Sequence, residues 1–453
     1  MKGFGRVPAV GGATTVPAPD PIARDYLLLA LRLDQHDPGL VNAYVGPADL
    51  KAQVDLERVP GPARLRDDAR ALRLRVAAEV PEADRREWLG AQLDALETRA
   101  AVLAGEAVPY LEQVELGYQW RPRRRPEALF DAAAAELARL LPGAGPLDER
   151  ATAWDARLVI DPERLPAVLD WLVAELRRRS ATRLGLPPGE SVRVGLVRGQ
   201  AWTGYCWFDG AGRSRIDVNL DLPARAPELV GVVAHETYAG HHIEHAWKEA
   251  ALVESAGRLE ASAMLLPTPE SLISEGLAEV GPGLLLPDPE RVDLLAELFA
   301  RARLDLGGPG PARRLAETAV AIAPLRRRLG ESIVNAALMR HVDAASPDEV
   351  LGYLRDRGRY PEARARQRLG FLDDPRWRTY AFVYDEGCDL VGRWVEAVPS
   401  ADRDARFGRL LREALTPARL AADLAAGAAD AGATAKAAGA TPGADGVTGA
   451  AST

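Results

Sequence analysis

Between residues 21 and about 420, apolar residues recur at spacings of three and four in windows rich in Ala, Leu, Arg and Glu. That period puts them on one face of an α-helix, and those residue types lose little on adopting it. The pattern predicts helices over Ile22–Leu33, Glu87–Leu103, Pro126–Leu141, Pro162–Arg179, Pro289–Leu304, Ala312–Leu329, Ser332–Val342 and Pro375–Val395. Pro stands at or near several of these starts, where its missing N–H costs nothing. Ser191–Leu222 breaks the rhythm: Val192, Val194 and Leu196 alternate with other residues, as do Ile216, Val218 and Leu220, and a DGAGRS turn signal precedes the second set. This stretch predicts a small antiparallel β element over about 191–222, followed by a helix over about 227–250. The fold class is mainly α, with a helical domain spanning 21–420.

The two ends change character. Residues 1–20 are rich in Gly, Pro, Ala and Thr, and 421–453 are rich in Ala and Gly with almost no large apolar side chain. Such segments bury too little to offset the entropy of ordering them, so they are expected to be a disordered leader and a disordered tail.

The chain has 453 residues, 57 Lys+Arg against 65 Asp+Glu, a formal charge of −8 and two cysteines. Its mild acidity gives no field to attract nucleic acid. Cys206 and Cys388 are far apart and form no CxxC pair, so a reducing, cytoplasmic setting is expected. Charges or prolines interrupt every hydrophobic run, and no membrane partner is expected.

Candidate chemistry lies in the helix after the β element, which holds four of the six histidines: His235, His241, His242 and His245. His235-Glu236 after an apolar run begins like the HExxH motif, in which two His one turn apart bind zinc and Glu is the general base. Here position 239 is Ala. On a straight helix His241 points ~120° away from His235, and His242 lies ~10.5 Å along the axis. His241, His242 and His245 therefore all remain open as the second ligand, and Gly240 marks the place where the helix can bend. In the stretch SEGLAEVG, Glu275 and Glu279 lie one turn apart on a later helix. Glu275 fits as a third ligand and Glu279 as the partner that orients a ligand imidazole.

HETYAGHH followed by EGLAE resembles the HExxPGHH and EGxA signatures of a large bacterial family known as domain of unknown function 885. That family is similar in fold to the carboxypeptidase Taq group and other Glu-zincin oligopeptidases. RIDVNLDLP and RWRTYAFVYDEG extend the resemblance over about residues 25 to 400. It implies two helical halves around a cleft, one zinc ion and a peptide or small amide substrate. By the family pattern the histidine after Gly, His241, is the ligand; the departure is Ala239, where the family has Pro.

In the related peptidases a strand before the active helix offers an unpaired edge to the substrate, which would turn Arg215 and Asn219 toward the cleft. Tyr380 and Tyr384, four apart on a predicted helix, are candidate donors to a developing oxyanion. The expected activity is hydrolysis by metal-activated water with Glu236 as general base. Two alternatives stand beside it: a helical protein that binds metal without turnover, and a metal-free protein whose histidines form a polar helix face.

Overall fold

The computed structural model describes residues 20–200, 202–306 and 308–438, with side chains to residue 428. The expected leader, apart from Asp20, lies outside the described residues. α1 (Pro21–His36) starts as its sequence suggests, with Pro in the first turn and the Asp20 carboxylate accepting the Ala23 N–H at 2.8 Å. β1 (Val41–Tyr44), α2 (Ala48–Leu56), α3 (Pro62–Glu79) and α4 (Ala83–Leu103) follow, with α3 packed along α4. Tyr26, Leu27, Leu65 and Leu89 are fully buried in a hydrophobic core that this part of the chain shares with Leu259 and Leu265.

The second core gathers the rest of the chain. α5 (Tyr110–Tyr118), α6 (Glu127–Leu140), α7 (Leu147–Ala156) and α8 (Leu165–Arg183) lead into the β element. That element is β2 (Ser191–Val197), β3 (Gly204–Gly210) and β4 (Arg213–Asn219), in the order β2-β4-β3. β3 and β4 form the expected antiparallel pair, with Cys206 opposite Ile216, whereas β2 joins the far side of β4 in parallel, Val194 opposite Ile216. The strand before the histidine-bearing segment is thus central and bonded on both sides, and the edge near that segment belongs to β3.

α9 (Ala226–Glu236) and α10 (His241–Lys248) replace the single expected helix, and a π-helical turn over Glu249–Ser255 follows. β5 (Ala263–Leu265) pairs antiparallel with β1. α11 (Pro269–Leu285) comes next, its capping box closed between Thr268 and Ser271. α12 (Asp288–Arg301), α13 (Pro309–Gly330), α14 (Ser332–His341), α15 (Pro347–Asp356), α16 (Glu362–Asp373), α17 (Val383–Glu396), α18 (Arg403–Arg412) and α19 (Pro417–Ala438) complete the fold. α11 lies against α17 through a glycine pair: a Cβ on Gly276 would sit 2.3 Å from the Gly387 carbonyl oxygen, so only glycine permits this approach.

Two expectations at the C-terminal end are corrected. The helix read from Pro375 begins only at Val383, and Tyr380 lies in the turns before it. Of the segment read as a disordered tail, 421–453, the part to Ala438 continues α19, and residues 439–453 lie outside the described residues. Alanine is the strongest helix former, and Leu420, fully buried, with Asp423, which accepts the Trp394 indole N–H at 3.1 Å, holds the helix to the body. Among the described residues no helix is long and apolar enough to cross a membrane.

Candidate metal centre

The local sequence forces α9 and α10 apart. Thr237 still closes the last α-turn on the Val233 carbonyl at 3.0 Å, but the Ala239 N–H reaches back five residues to Ala234 and the Gly240 N–H only three, to Thr237. The helix restarts at His241. Gly240 turns so close to the preceding strand of backbone that a Cβ there would lie 1.9 Å from the His235 carbonyl oxygen. The extra two residues relative to HExxH are absorbed in this break, which turns His241 back onto His235, their ring centres 4.7 Å apart and nearly perpendicular.

α11 brings Glu275 to the same point. Ligand atoms of His235, His241 and Glu275 all lie within 4.8 Å of one another. Glu275 Oε2 stands 3.3 Å from His235 Nε2 and 3.7 Å from His241 Nε2. Two ligands of a tetrahedral zinc at ~2.05 Å stand roughly 3.3 Å apart, a spacing that the 3.3 and 3.7 Å found here come close to. Glu275 Oε2 is also buried without a hydrogen-bond partner, an arrangement that costs free energy unless a cation completes it. The three residues therefore fit a zinc ion.

Charge points the same way. Burial disfavours an imidazolium at His235, yet the carboxylates of Glu275 and Glu279 overcome it and hold its pKa well above the usual value. At His241 the same opposition, with Glu275 and Glu244 as the carboxylates, raises the pKa to about 9. The cluster calls for positive charge.

Each of the three candidate ligands is held from behind. Glu279 Oε1 faces His235 Nδ1 at 3.3 Å, as expected, which leaves Nε2 free to bind. The Tyr380 hydroxyl donates to Glu275 Oε1 at 2.7 Å, so Tyr380 positions a ligand and is not available as an oxyanion donor. His241 Nδ1 meets Ser274 Oγ at 3.3 Å and Glu244 Oε2 at 3.7 Å. Ser274 donates to Glu244 at 2.5 Å, and Lys248 Nζ bridges Glu244 and Glu270 at 2.7 and 2.8 Å. The sequence reading missed this buried chain of charges, although Glu244 is one turn from both His241 and Lys248.

The other histidines turn away. His242 is fully buried between Ser214 Oγ at 2.8 Å and Glu190 Oε2 at 3.2 Å, and it pins α10 to the sheet. The His245 ring lies tilted against Phe208 at 5.3 Å and nearly parallel to the His241 ring at 6.1 Å, outside the cluster, and burial pushes its pKa down to about 3 and keeps it neutral. Neither joins the three-residue cluster found among the described residues.

Glu236 is buried beside the centre and accepts the Cys206 backbone N–H from β3. β3 passes so near that a Cβ on Gly204 would lie 3.3 Å from Glu236 Oε1. Burial raises the Glu236 pKa, against the pull of His235 and His241, which makes it a better proton acceptor. Tyr384 is 37% exposed and its ring centre is 6.3 Å from that of His235. Arg215 and Asn219 are engaged elsewhere. Arg215 stacks on Trp207 and pairs with Asp217 at 3.1 Å, and the Asn219 amide closes the preceding loop by donating to the Gln200 and Trp202 carbonyls. Their strand is central, so neither lies along a free edge.

No known family's profile matches the chain, and no curated protein matches it. Solved structures do. A candidate lipoprotein from Colwellia psychrerythraea aligns at 15% identity and a TM-score of 0.48, over 80% of this chain and 66% of that one. A candidate lipoprotein of unknown function from Shewanella oneidensis aligns at 11% identity and a TM-score of 0.45, over 79% of this chain and 72% of that one. This chain thus spans just under two thirds of the first neighbour's length.

Proposed function

We propose that the protein is a zinc-dependent amide hydrolase, of carboxypeptidase or oligopeptidase type, acting on peptides or small amides. The observation that carries this reading is the orphaned Oε2 of Glu275, buried between two imidazole Nε2 atoms with Glu236 beside them. Zinc at such a three-ligand centre lowers the pKa of water and polarises a carbonyl. Glu236 takes a proton from the attacking water and passes it to the leaving amine, the transfer its raised basicity favours. Glu279, Tyr380 and Glu244 fix the ligands so that little reorganisation is needed. The Tyr384 hydroxyl, on the open side, is the donor left to meet charge developing on the carbonyl oxygen. Tyr205 and Trp207 are opposite Asp217 and Arg215, and the Thr203 carbonyl accepts the Asn219 N–H, so the backbone of Gly204, Cys206 and Phe208 faces away from β4. An extended peptide adds along this edge as a strand through the groups other than the Cys206 N–H, which Glu236 holds.

The test is zinc content and hydrolysis of a short-peptide library by the wild type beside His241→Ala. About one zinc per chain with measurable hydrolysis, both lost in the variant, is the expected result. Stoichiometric metal without any hydrolysis overturns the enzyme, and stoichiometric metal in His241→Ala overturns the ligand set.

A further inference from the structure

β3 carries more than an open edge. Its side chains alternate between two faces. Cys206 and Phe208 are buried on the face toward α9 and α10, whereas Tyr205 and Trp207 stand half-buried on the other. Trp202, in the loop before the strand, joins that second pair. Its ring centre is 5.5 Å from that of Tyr205, which is 4.4 Å from that of Trp207. These side chains are held in place. The Tyr205 hydroxyl donates to Asn42 Oδ1, and the Trp207 indole N–H donates to Asp217 Oδ2 at 2.9 Å. The Arg215 guanidinium lies 5.4 Å from the Trp207 ring centre, and the Asn219 amide fixes the loop by donating to the Trp202 carbonyl at 2.9 Å. What the row offers a ligand is apolar ring surface already ordered, so little is lost to ordering it on binding.

The row stands beside the candidate metal centre because its strand does. A Cβ on Gly204, between Trp202 and Tyr205, would lie 2.5 Å from Val232 Cγ1 and 3.3 Å from Glu236 Oε1, so glycine lets β3 approach α9 this closely. The Cys206 N–H, between Tyr205 and Trp207, is the group that Glu236 holds. Pairing then fixes how a bound strand aims its side chains. Tyr205 and Trp207 turn their backbone groups to Asp217 and Arg215 on β4. On the free side they therefore occupy positions without hydrogen bonds, where the Cβ of the opposite residue comes within about 4.5–5.5 Å on the same face. The peptide residues opposite Tyr205 and Trp207 are two apart, and both side chains land against the rings. The residue between them lies opposite Cys206 and points to the other face, toward α9.

Resting on the hydrolase reading above, we propose that Trp202, Tyr205 and Trp207 form a subsite for aromatic side chains at alternate positions of the substrate. The substrates are then peptides with two aromatic residues flanking the one held opposite Cys206. Aromatic rings favour offset or edge-on contacts at centroid distances of about 4.5–7 Å, and facing aromatic pairs are among the contacts that hold adjacent strands together. A strand laid on this edge brings its alternate rings into that range.

The experiment measures binding to the full-length, zinc-loaded Glu236→Gln protein, which holds a peptide without cleaving it. Three pentapeptides with free termini are compared by calorimetry: Ala-Phe-Ala-Phe-Ala, its isomer Ala-Phe-Phe-Ala-Ala, and Ala-Leu-Ala-Leu-Ala. The isomers have the same composition, but the second can set only one ring on the aromatic face. The alternating phenylalanine peptide is expected to bind at least about fivefold more tightly than either of the others. Adding Trp207→Leu should bring the two isomers to within about twofold of each other. Equal binding of the isomers with Trp207 intact overturns the proposal, whether or not Trp207→Leu folds. A leucine peptide that binds as tightly as the alternating phenylalanine peptide overturns it as well, as does a spacing preference that survives Trp207→Leu. Turnover of the same peptides by the wild type is read separately. Hydrolysis with no spacing preference in binding removes the subsite and leaves the hydrolase, whereas the preference without hydrolysis removes the hydrolase and leaves a peptide-binding edge.

Discussion

Glu236 and His235 are neighbours in sequence that face different tasks. His235 aims its Nε2 at Glu275, while the Glu236 carboxylate lies against the β3 backbone at Cys206. Glu236→Gln keeps the shape of the side chain but cannot accept a proton. It should retain zinc and thermal stability and lose about 10²- to 10⁴-fold in turnover, as steady-state kinetics would show. Glu244 acts through His241. Converting it to Gln removes the charge that favours the Nδ1–H form of the ring and leaves Lys248 half-compensated. Zinc affinity measured by chelator competition should fall roughly 10- to 100-fold, with the helix content unchanged. His242 gives the opposite outcome: His242→Ala should keep zinc and cost about 1–3 kcal/mol of stability in denaturant melts, because Glu190 and Ser214 lose a buried partner. Loss of zinc in that variant would mean that His242, not His241, is the ligand. The residue types of the centre, and Glu279 beside His235, were legible in the sequence; the contacts of Ser274 with His241 and of Tyr380 with Glu275 were not, because those partners lie far apart along the chain.

At the scale of elements, the break between α9 and α10 decides the centre. The spacing of His235 and His241 requires a departure from the ideal helix, and the structure supplies it at Thr237–Gly240. Gly240→Ala puts a methyl group against the His235 carbonyl, so either the break or α11 must shift. The variant should lose about 1–3 kcal/mol of stability and most of its zinc, as melts and elemental analysis would report. A Gly240→Ala protein with wild-type zinc content would show that the break tolerates a side chain. The β element shows the limit of reading alternation alone. Period two identified the strands but not their neighbours, since β2 and β3 can each pair with β4 on either side and in either sense.

For the whole molecule, one hydrophobic core joins residues from Ile22 to Ala100 with Val253, Leu259, Ala263 and Leu265, and a second gathers residues from Tyr110 to Leu420. α19 belongs to the second of them through Leu420. Leu420→Ala should therefore cost about 2–4 kcal/mol in chemical denaturation while zinc content stays at the wild-type level, since the residue lies apart from the ligands. No measurable loss would show that α19 is not held to the body through Leu420. The sequence by itself determined the mainly α class, the helix-forming windows, the residues able to bind a metal, and the need for a bend between His235 and His241, because all of these follow from local period, propensity and spacing. Only the tertiary structure decided that His242 faces Glu190 and His241 faces Glu275. It also made Tyr380 a support for Glu275 and engaged Arg215 and Asn219 in the sheet. Those outcomes depend on which elements pack against which, and a side chain's partner across a hundred residues of chain leaves no local trace.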